Sequence, residues 1–99
     1  MPNYVLSFRG QPGRTPTADD EAAWGQWLGQ LGAKIVDSGH RVGRARALPD
    51  SSTGAAATTG LTGYVVITAD SFEAAVEVAK GCPGLNQGGG IEVGETIDA

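Results

Sequence analysis

The sequence predicts an α+β domain with the ferredoxin-like order β-α-β-β-α-β. Four segments carry the β-branched and aromatic residues of strands, and two capped amphipathic segments lie between the first and second strands and between the third and fourth. Right-handed crossovers then place four antiparallel strands in the order 4-1-3-2, with both helices on one face. The 99 residues are sufficient for a single domain, residues 1–99.

The first half of the chain supplies a strand, a helix and a second strand. Residues 3–9 have the composition of a strand, and residues 34–38 form a second, shorter one. Thr17, with Asp20 three residues on, resembles a capping box, and Gly32 is placed to end the helix in a left-handed cap. The apolar stripe between them recurs at helical spacing and consists of Trp24, Trp27, Leu28 and Leu31.

The second half repeats this order of elements. Residues 64–69 are apolar on both faces, as a central strand should be. Asp70 is predicted to cap the second helix, with Glu73 completing a capping box and Gly81 marking the end. Residues 91–97 follow a glycine-rich turn and form the last strand.

A flexible low-complexity loop is predicted at about residues 49–61. Its segment 51–60 contains only Ser, Thr, Ala and Gly. Such residues offer almost no apolar surface to offset the entropy lost on ordering, so we expect fast hydrogen exchange there.

The predicted sheet has one face that its own helices do not cover. Val65 and Ile67 lie on one side of the third strand, and Tyr64 and Val66 lie on the other. An apolar sheet face of this size is rarely left open. We therefore expect an isologous homodimer through a sheet face, either the face bearing Val5 and Val65 or its opposite.

Composition excludes several classes of function. A net charge of −4 argues against general nucleic-acid binding, and no apolar run reaches the roughly 18 residues of a membrane helix. The single histidine and the single cysteine do not supply the ligands of a structural zinc site. Cys82 is interpreted as an unreactive structural thiol. We expect a cytoplasmic protein without a metal or cofactor.

An anion site is predicted at one edge of the sheet, where strands 1 and 2 end and strands 3 and 4 begin. All the arginines fall on or near that edge: Arg9, Arg14, Arg41, Arg44 and Arg46. Arg9, with Arg44 or Arg46, is the candidate to hold an anionic substrate, helped by unpaired N–H groups at the helix start. Alternatively, the arginines are solvated or paired with the acidic residues of the first helical turn.

Asp37 and His40 are the candidate catalytic pair. Histidine is the usual proton shuttle near neutral pH, and a carboxylate can orient it. A spacing of three places the two on opposite faces of a straight strand, so they meet only if the backbone turns or bulges at Gly39. Alternatively, Asp37 forms a local turn by accepting backbone hydrogen bonds.

The first helix carries two features that each have two interpretations. Trp24 and Trp27 are core residues, or they bound a pocket together with Tyr4 or Tyr64, in which case Trp24 and Tyr64 contact the substrate. Gly25 and Gly29 are spaced like a helix-dimer motif, but we expect them to allow close packing of this helix on a neighbouring element.

The motif order resembles that of a known family. The matching elements are Trp24-x-x-Trp27, Leu31-Gly32-Ala33-x-Ile35-Val36-Asp37-x-Gly39, Gly63-Tyr64-Val65-Val66, Ala69-Asp70-Ser71-x-Glu73-Ala74-Ala75-Val76, Ala79-Lys80-Gly81-Cys82-Pro83 and Gly88-Gly89-Gly90-Ile91-Glu92-Val93. Together they resemble the YCII-related domain family, in its DGPF-like subgroup. The resemblance implies a ferredoxin-like dimeric α+β barrel but no single activity.

Some YCII-like enzymes resemble dehydrochlorinases or lactone-processing enzymes that use a His/Asp pair, with the histidine in the first helix. Here the first helix has no histidine, and Leu61-Thr62-Gly63-Tyr64 stands near the place of the Asp-Gly-Pro-Phe motif. Two functions follow as hypotheses. One is a dimeric domain that binds or transforms a small anionic organic molecule by cofactor-free acid–base chemistry. The other is a non-catalytic dimerisation or ligand-sensing module.

Overall fold

A computed structural model describes residues 2–11, 14–45 and 60–97. The elements are β1 (Asn3–Gly10), α1 (Ala18–Leu31), β2 (Ile35–Arg41), β3 (Gly60–Thr68), α2 (Phe72–Ala79) and β4 (Gly90–Glu95), with short 3₁₀ helices at Gly32–Lys34 and Pro83–Asn86. The sheet is antiparallel throughout and has the order β2-β3-β1-β4, which confirms the predicted topology. Neither helix is long and apolar enough to cross a membrane.

One hydrophobic core lies between the sheet and the helices. Alternate residues of β1 are buried, from Tyr4 through Leu6 to Phe8, and they oppose alternate buried residues of β3. Residues of both helices complete the same cluster: Trp27, Leu31, Ala75 and Ala79. Both helices therefore cover a single face of the sheet, as the crossovers require.

The start of α1 follows its predicted capping box. The Thr17 hydroxyl accepts a hydrogen bond from Asp20 N at 3.1 Å, and the Asp20 carboxylate accepts one from Thr17 N at 2.9 Å. Gly32 ends the helix with a φ of +42° but a ψ of −113°, so the left-handed helical cap is wrong although the positive φ is present. The chain enters a single 3₁₀ turn at that point instead.

The start of α2 differs from the prediction by one residue. The N-cap is Ser71, whose hydroxyl accepts a hydrogen bond from Ala74 N at 3.0 Å. Asp70 lies outside the helix and is exposed, and Glu73 occupies the second helical position, so they form no capping box. Serine and aspartate are both favoured N-cap residues, and here the serine occupies that position.

The face of the sheet away from the helices carries residues of partial exposure. Val5 pairs with Val66, and Ser7 pairs with Tyr64, so these four lie together on that face. Val65 pairs with Leu6 on the helix side, so grouping Val5 with Val65 on one face is wrong. We call the surface formed by Val5, Ser7, Tyr64 and Val66 the open face.

Two other expectations are corrected. An added Cβ at Gly25 or Gly29 would meet no atom within 4 Å, and both residues are exposed, so they do not serve close packing within the described chain. β3 begins at Gly60, so residues 60 and 61 belong to a strand rather than to the predicted loop. The rest of that predicted loop, from 49 to 59, lies outside the described residues.

Candidate functional site

A cleft of about 760 Å³ lies under the first half of α1. Its floor is the end of the sheet where β1 and β2 finish and β3 begins, and its roof is formed by Trp24 and Leu28. Gln87 and Gly84, next to the start of β4, close one side. A volume of this size falls in the range of roughly 300–1,000 Å³ typical of small-molecule sites.

The floor of the cleft is a row of three residues across three strands. Gly63 of β3 pairs with Phe8 of β1 on one side and with Arg41 of β2 on the other. Directly opposed residues of antiparallel strands lie on the same face. Since Phe8 faces the helices, Arg41 and Gly63 face them too, and the row runs from a cation through a position without a side chain to an aromatic ring.

The roof is held in place by contacts on three sides of Trp24. Its ring meets the edge of Phe8 with centroids 4.9 Å apart and that of Trp27 at 5.8 Å. The indole Nε1 donates a hydrogen bond to Gln87 Oε1 at 3.1 Å. A Cβ on Gly84 would come within 3.2 Å of the indole ring, so a glycine there lets the ring pack closely. Trp27 is buried below, whereas Trp24 is partly exposed in the cleft.

The charge lining the cleft is positive. Of the described residues, three arginines (Arg9, Arg14 and Arg41) but only one acid, Glu21, line it, in a chain whose net charge is −4. Arg14 is paired with Asp20 at 2.9 Å, as the alternative interpretation of the arginines expects. Hydrogen bonds from the Thr17 backbone N–H and from Arg14 hold the pKa of Asp20 below its ordinary value. Arg41 forms no ion pair with a described residue.

Asp37 and His40 come to the same side of β2 without forming a pair. The register shifts between them, so that Asp37 opposes Val66 and His40 opposes Tyr64 on the open face. Gly39 adopts a φ of +64°, and its N–H donates a hydrogen bond to Asp37 Oδ1 at 2.8 Å. This is the local turn that was the alternative interpretation of Asp37. His40 is exposed, and its ring lies 6.0 Å from the ring of Tyr64.

The predicted site residues divide into two groups. Arg9, Trp24, His40 and Tyr64 are all among the lining residues of the cleft, but the register places His40 and Tyr64 on the open face, across the sheet from Trp24. Asp37 and Arg44 do not line it, and both are exposed. Arg46 lies outside the described residues.

Sequence reasoning did not assign Phe8, Gln11, Gln87 or Gly63 to the cleft. Gln87 binds the indole of Trp24, and Gln11 lies against the backbone of Gly88, where an added Cβ would come within 2.7 Å of it. A glutamine in a loop carries no pattern of its own in a single sequence. Gly63 could be recognised only from the register that places it between Phe8 and Arg41.

The remaining reactive group is enclosed in the core. The Cys82 side chain is buried, and burial raises the pKa of its thiol. This environment suits the structural role expected for it. Within residues 2–11, 14–45 and 60–97, no three His, Cys, Asp or Glu side chains gather closely enough to hold a metal ion.

No protein-family model matches the chain, and no curated protein matches it significantly.

Proposed function

We propose that the chain is a YCII-like domain that binds a small organic anion in the cleft under α1. One observation carries the proposal: three arginines and a partly exposed tryptophan line a single cleft in an otherwise acidic chain. An anion with an apolar body matches both features, because the guanidinium of Arg41, which forms no ion pair with a described residue, pairs with the charge while the aromatic wall receives the body.

The proposed chemistry is proton transfer without a cofactor. His40 is exposed beside Tyr64 at the end of the sheet that the cleft occupies, so it can exchange protons with solvent and with a ligand that extends to that side of the sheet. Asp37 acts on His40 only indirectly, since its carboxylate accepts from Gly39 N and fixes the turn that presents the histidine. In this proposal His40 is the acid or base and Asp37 is a positioning residue.

A second candidate is a ligand-sensing module without catalysis. Two observations favour it: His40 is exposed, and the Asp37 carboxylate is engaged by the backbone rather than by the imidazole. The two candidates share the binding step and differ in what His40 does. His40→Gln abolishes turnover but keeps binding in the first candidate, and it leaves every property of the second unchanged.

The binding step is tested by fluorescence of Trp24. The chain has two tryptophans, so Trp27→Phe leaves Trp24 as the only reporter. Titration with acetate, benzoate and inorganic phosphate at low salt is expected to give a saturable change for at least one of them, weakened by added salt. Absence of any saturable change overturns the proposal.

Matched variants locate the binding. Arg41→Gln is expected to weaken binding about tenfold, because a charge-assisted contact is lost. Lys34→Gln is the control, because it removes the same charge just before β2, at the opposite end of that strand from Arg41. Equal weakening by both variants would mean that the anion responds only to net charge, which contradicts a site in the cleft.

We further propose that two copies associate through the open face. Its half-buried valines and tyrosine support an apolar contact, and a two-fold arrangement covers both copies at once. Sedimentation at micromolar concentration should give twice the 10.1 kDa mass of one chain. Val66→Lys should give a monomer, whereas Leu85→Lys, which alters an exposed apolar residue in the 3₁₀ helix Pro83–Asn86, should not. A wild-type monomer overturns this part.

A further inference from the structure

We propose that the cleft is shaped for a flat carboxylate, whose charged group pairs with Arg41 and whose planar body lies over Gly63 against Phe8 and Trp24. This inference rests on the proposed anion binding and adds the shape of the ligand. Gly63 is the position that determines specificity.

The backbone dihedral angles at position 63 do not require a glycine. Gly63 lies within β3 and is not among the described glycines with positive φ, which are Gly32, Gly39 and Gly88. It is nevertheless buried in the floor of the cleft. The glycine at this position therefore matters because it leaves free space in the cleft, and not because of its backbone conformation.

An added Cβ at Gly63 would point into the gap between the two ends of the row. It would lie 3.7 Å from Phe8 Cδ2 and 3.6 Å from Arg41 Cα, and 3.1 Å from the His40 carbonyl oxygen. The gap is thus about one methyl group wide at its base, and it is bounded by an aromatic ring at one end and by the arginine strand at the other. We expect a thin, planar body to fit over such a floor better than a puckered ring does.

The chemistry at the two ends matches the two halves of such a ligand. Arg41 is exposed and forms no ion pair with a described residue, and its guanidinium can take a carboxylate through two parallel hydrogen bonds. Phe8 and Trp24 both line the cleft and meet edge to face at an interplanar angle of 77°, so together they form an aromatic wall for a planar ligand. A carboxylate attached directly to a conjugated ring satisfies both ends.

The test compares benzoate with cyclohexanecarboxylate, which has the same charge and carbon number but a puckered ring. Trp24 fluorescence in the Trp27→Phe background measures both affinities, with acetate as the probe of the charged end alone. Benzoate is expected to bind about tenfold more tightly than cyclohexanecarboxylate, the size of an aromatic contact. This comparison needs no change at Gly63, so it holds even if substitutions there impair folding.

Gly63→Ala then tests the floor directly. It should weaken benzoate at least about tenfold and leave acetate within about twofold, since only the planar body lies over this position. Gly60→Ala is the control on the same strand, because its Cβ would meet no atom of a described residue within 4 Å. Thermal unfolding of both variants shows whether each remains folded.

The failure of this inference is distinguishable from the failure of the proposed function. If none of the three carboxylates binds, the anion site itself is wrong. If they bind with affinities that ignore ring shape, or if Gly63→Ala affects benzoate and acetate alike in a folded protein, the anion site stands and the planar ligand is overturned.

Discussion

The two helices face the same sheet with side chains of very different size. α2 is 8 residues long and buries Ala75 and Ala79 completely or nearly so. α1 is 14 residues long and presents two tryptophans. Trp27 enters the core, while Trp24 remains partly exposed above the sheet.

This difference explains why the cleft lies under α1. Small residues let a helix backbone approach a sheet closely, whereas large rings hold it away and fill the space unevenly. The buried alanines of α2 belong to the same packed core as Tyr4 and Ile67. Under α1, the pairing of a tryptophan roof with a glycine floor leaves a gap that neither fills.

The largest expected effect separates the two tryptophans. Trp27→Ala should destabilise the protein by about 3–5 kcal/mol, because a buried ring is replaced by a core cavity. Trp24→Ala should cost clearly less, because part of its ring already faces the cleft. Urea unfolding at neutral pH measures both. Equal losses would mean that Trp24 belongs to the core as fully as Trp27 does.

The next effect tests the close approach of α2. Ala75→Leu should destabilise by about 1–3 kcal/mol, since added carbon atoms have no space at a side chain that is fully buried. Ala22→Leu on α1 is exposed and should change stability by no more than about 0.5 kcal/mol. A tolerated Ala75→Leu would show that α2 can move away from the sheet.

Removing the N-cap of α2 is expected to lower the unfolding free energy by about 1 kcal/mol. Ser71→Ala removes the hydroxyl that accepts from Ala74 N, and should cost about that amount in unfolding free energy. Asp70→Ala is the matched control and should be close to neutral, because Asp70 lies outside the helix. A larger loss of unfolding free energy for Asp70→Ala than for Ser71→Ala would show that Asp70 is the N-cap.

A smaller, stabilising effect is expected from a substitution in α1. Gly29→Ala should raise the unfolding free energy by about 0.5–1 kcal/mol, because an exposed helix interior favours alanine and the new Cβ meets nothing within 4 Å. Gly32→Ala should do the opposite, since φ there is +42°. A destabilising Gly29→Ala would reveal a contact beyond those of the described residues, such as one with a second copy.

The smallest effect depends on pH. Thr17 N–H and Arg14 lower the pKa of Asp20 from its ordinary value of 3.8, so the unfolded chain takes up a proton at that site first as pH falls. The stability that Asp20 contributes is therefore present above that value and lost as pH falls through the folded-state pKa. Asp20→Asn should flatten the stability curve below about pH 4. If Asp20→Asn leaves the pH dependence of stability in acid unchanged, the capping box formed by Thr17 and Asp20 does not contribute to that dependence.

The sequence predicts the fold well where the signal is local. Alternation in β1 and the hydrogen-bonding groups of Thr17 and Asp20 depend on residues close in the chain, and both are confirmed. At Asp70 and Ser71, two adjacent residues compete for one role, so propensity cannot choose between them. The start of β3 at Gly60 is missed because pairing with Gly10 of β1 overrides a composition typical of loops.

The candidate site is predictable only in outline. Topology brings Arg9, His40 and Tyr64 to one end of the sheet, and all three line the cleft. That Asp37 does not pair with His40 could not be predicted, because it depends on the hydrogen bond that the Gly39 N–H donates to the Asp37 carboxylate. The role of Gln87 requires the position of Trp24 in three dimensions, which no spacing along the chain contains.

The two outer strands of the described sheet differ in their capacity to recruit further strands. β2 has two register shifts, which interrupt the regular row of backbone groups along its free edge. β4 pairs with β1 without interruption from Glu95 to Gly90. If copies of the chain add strand to strand at high concentration, the addition is therefore expected to begin at β4 rather than at β2. The negative charges of Glu92 and Glu95 on β4 repel a second copy and so limit this addition.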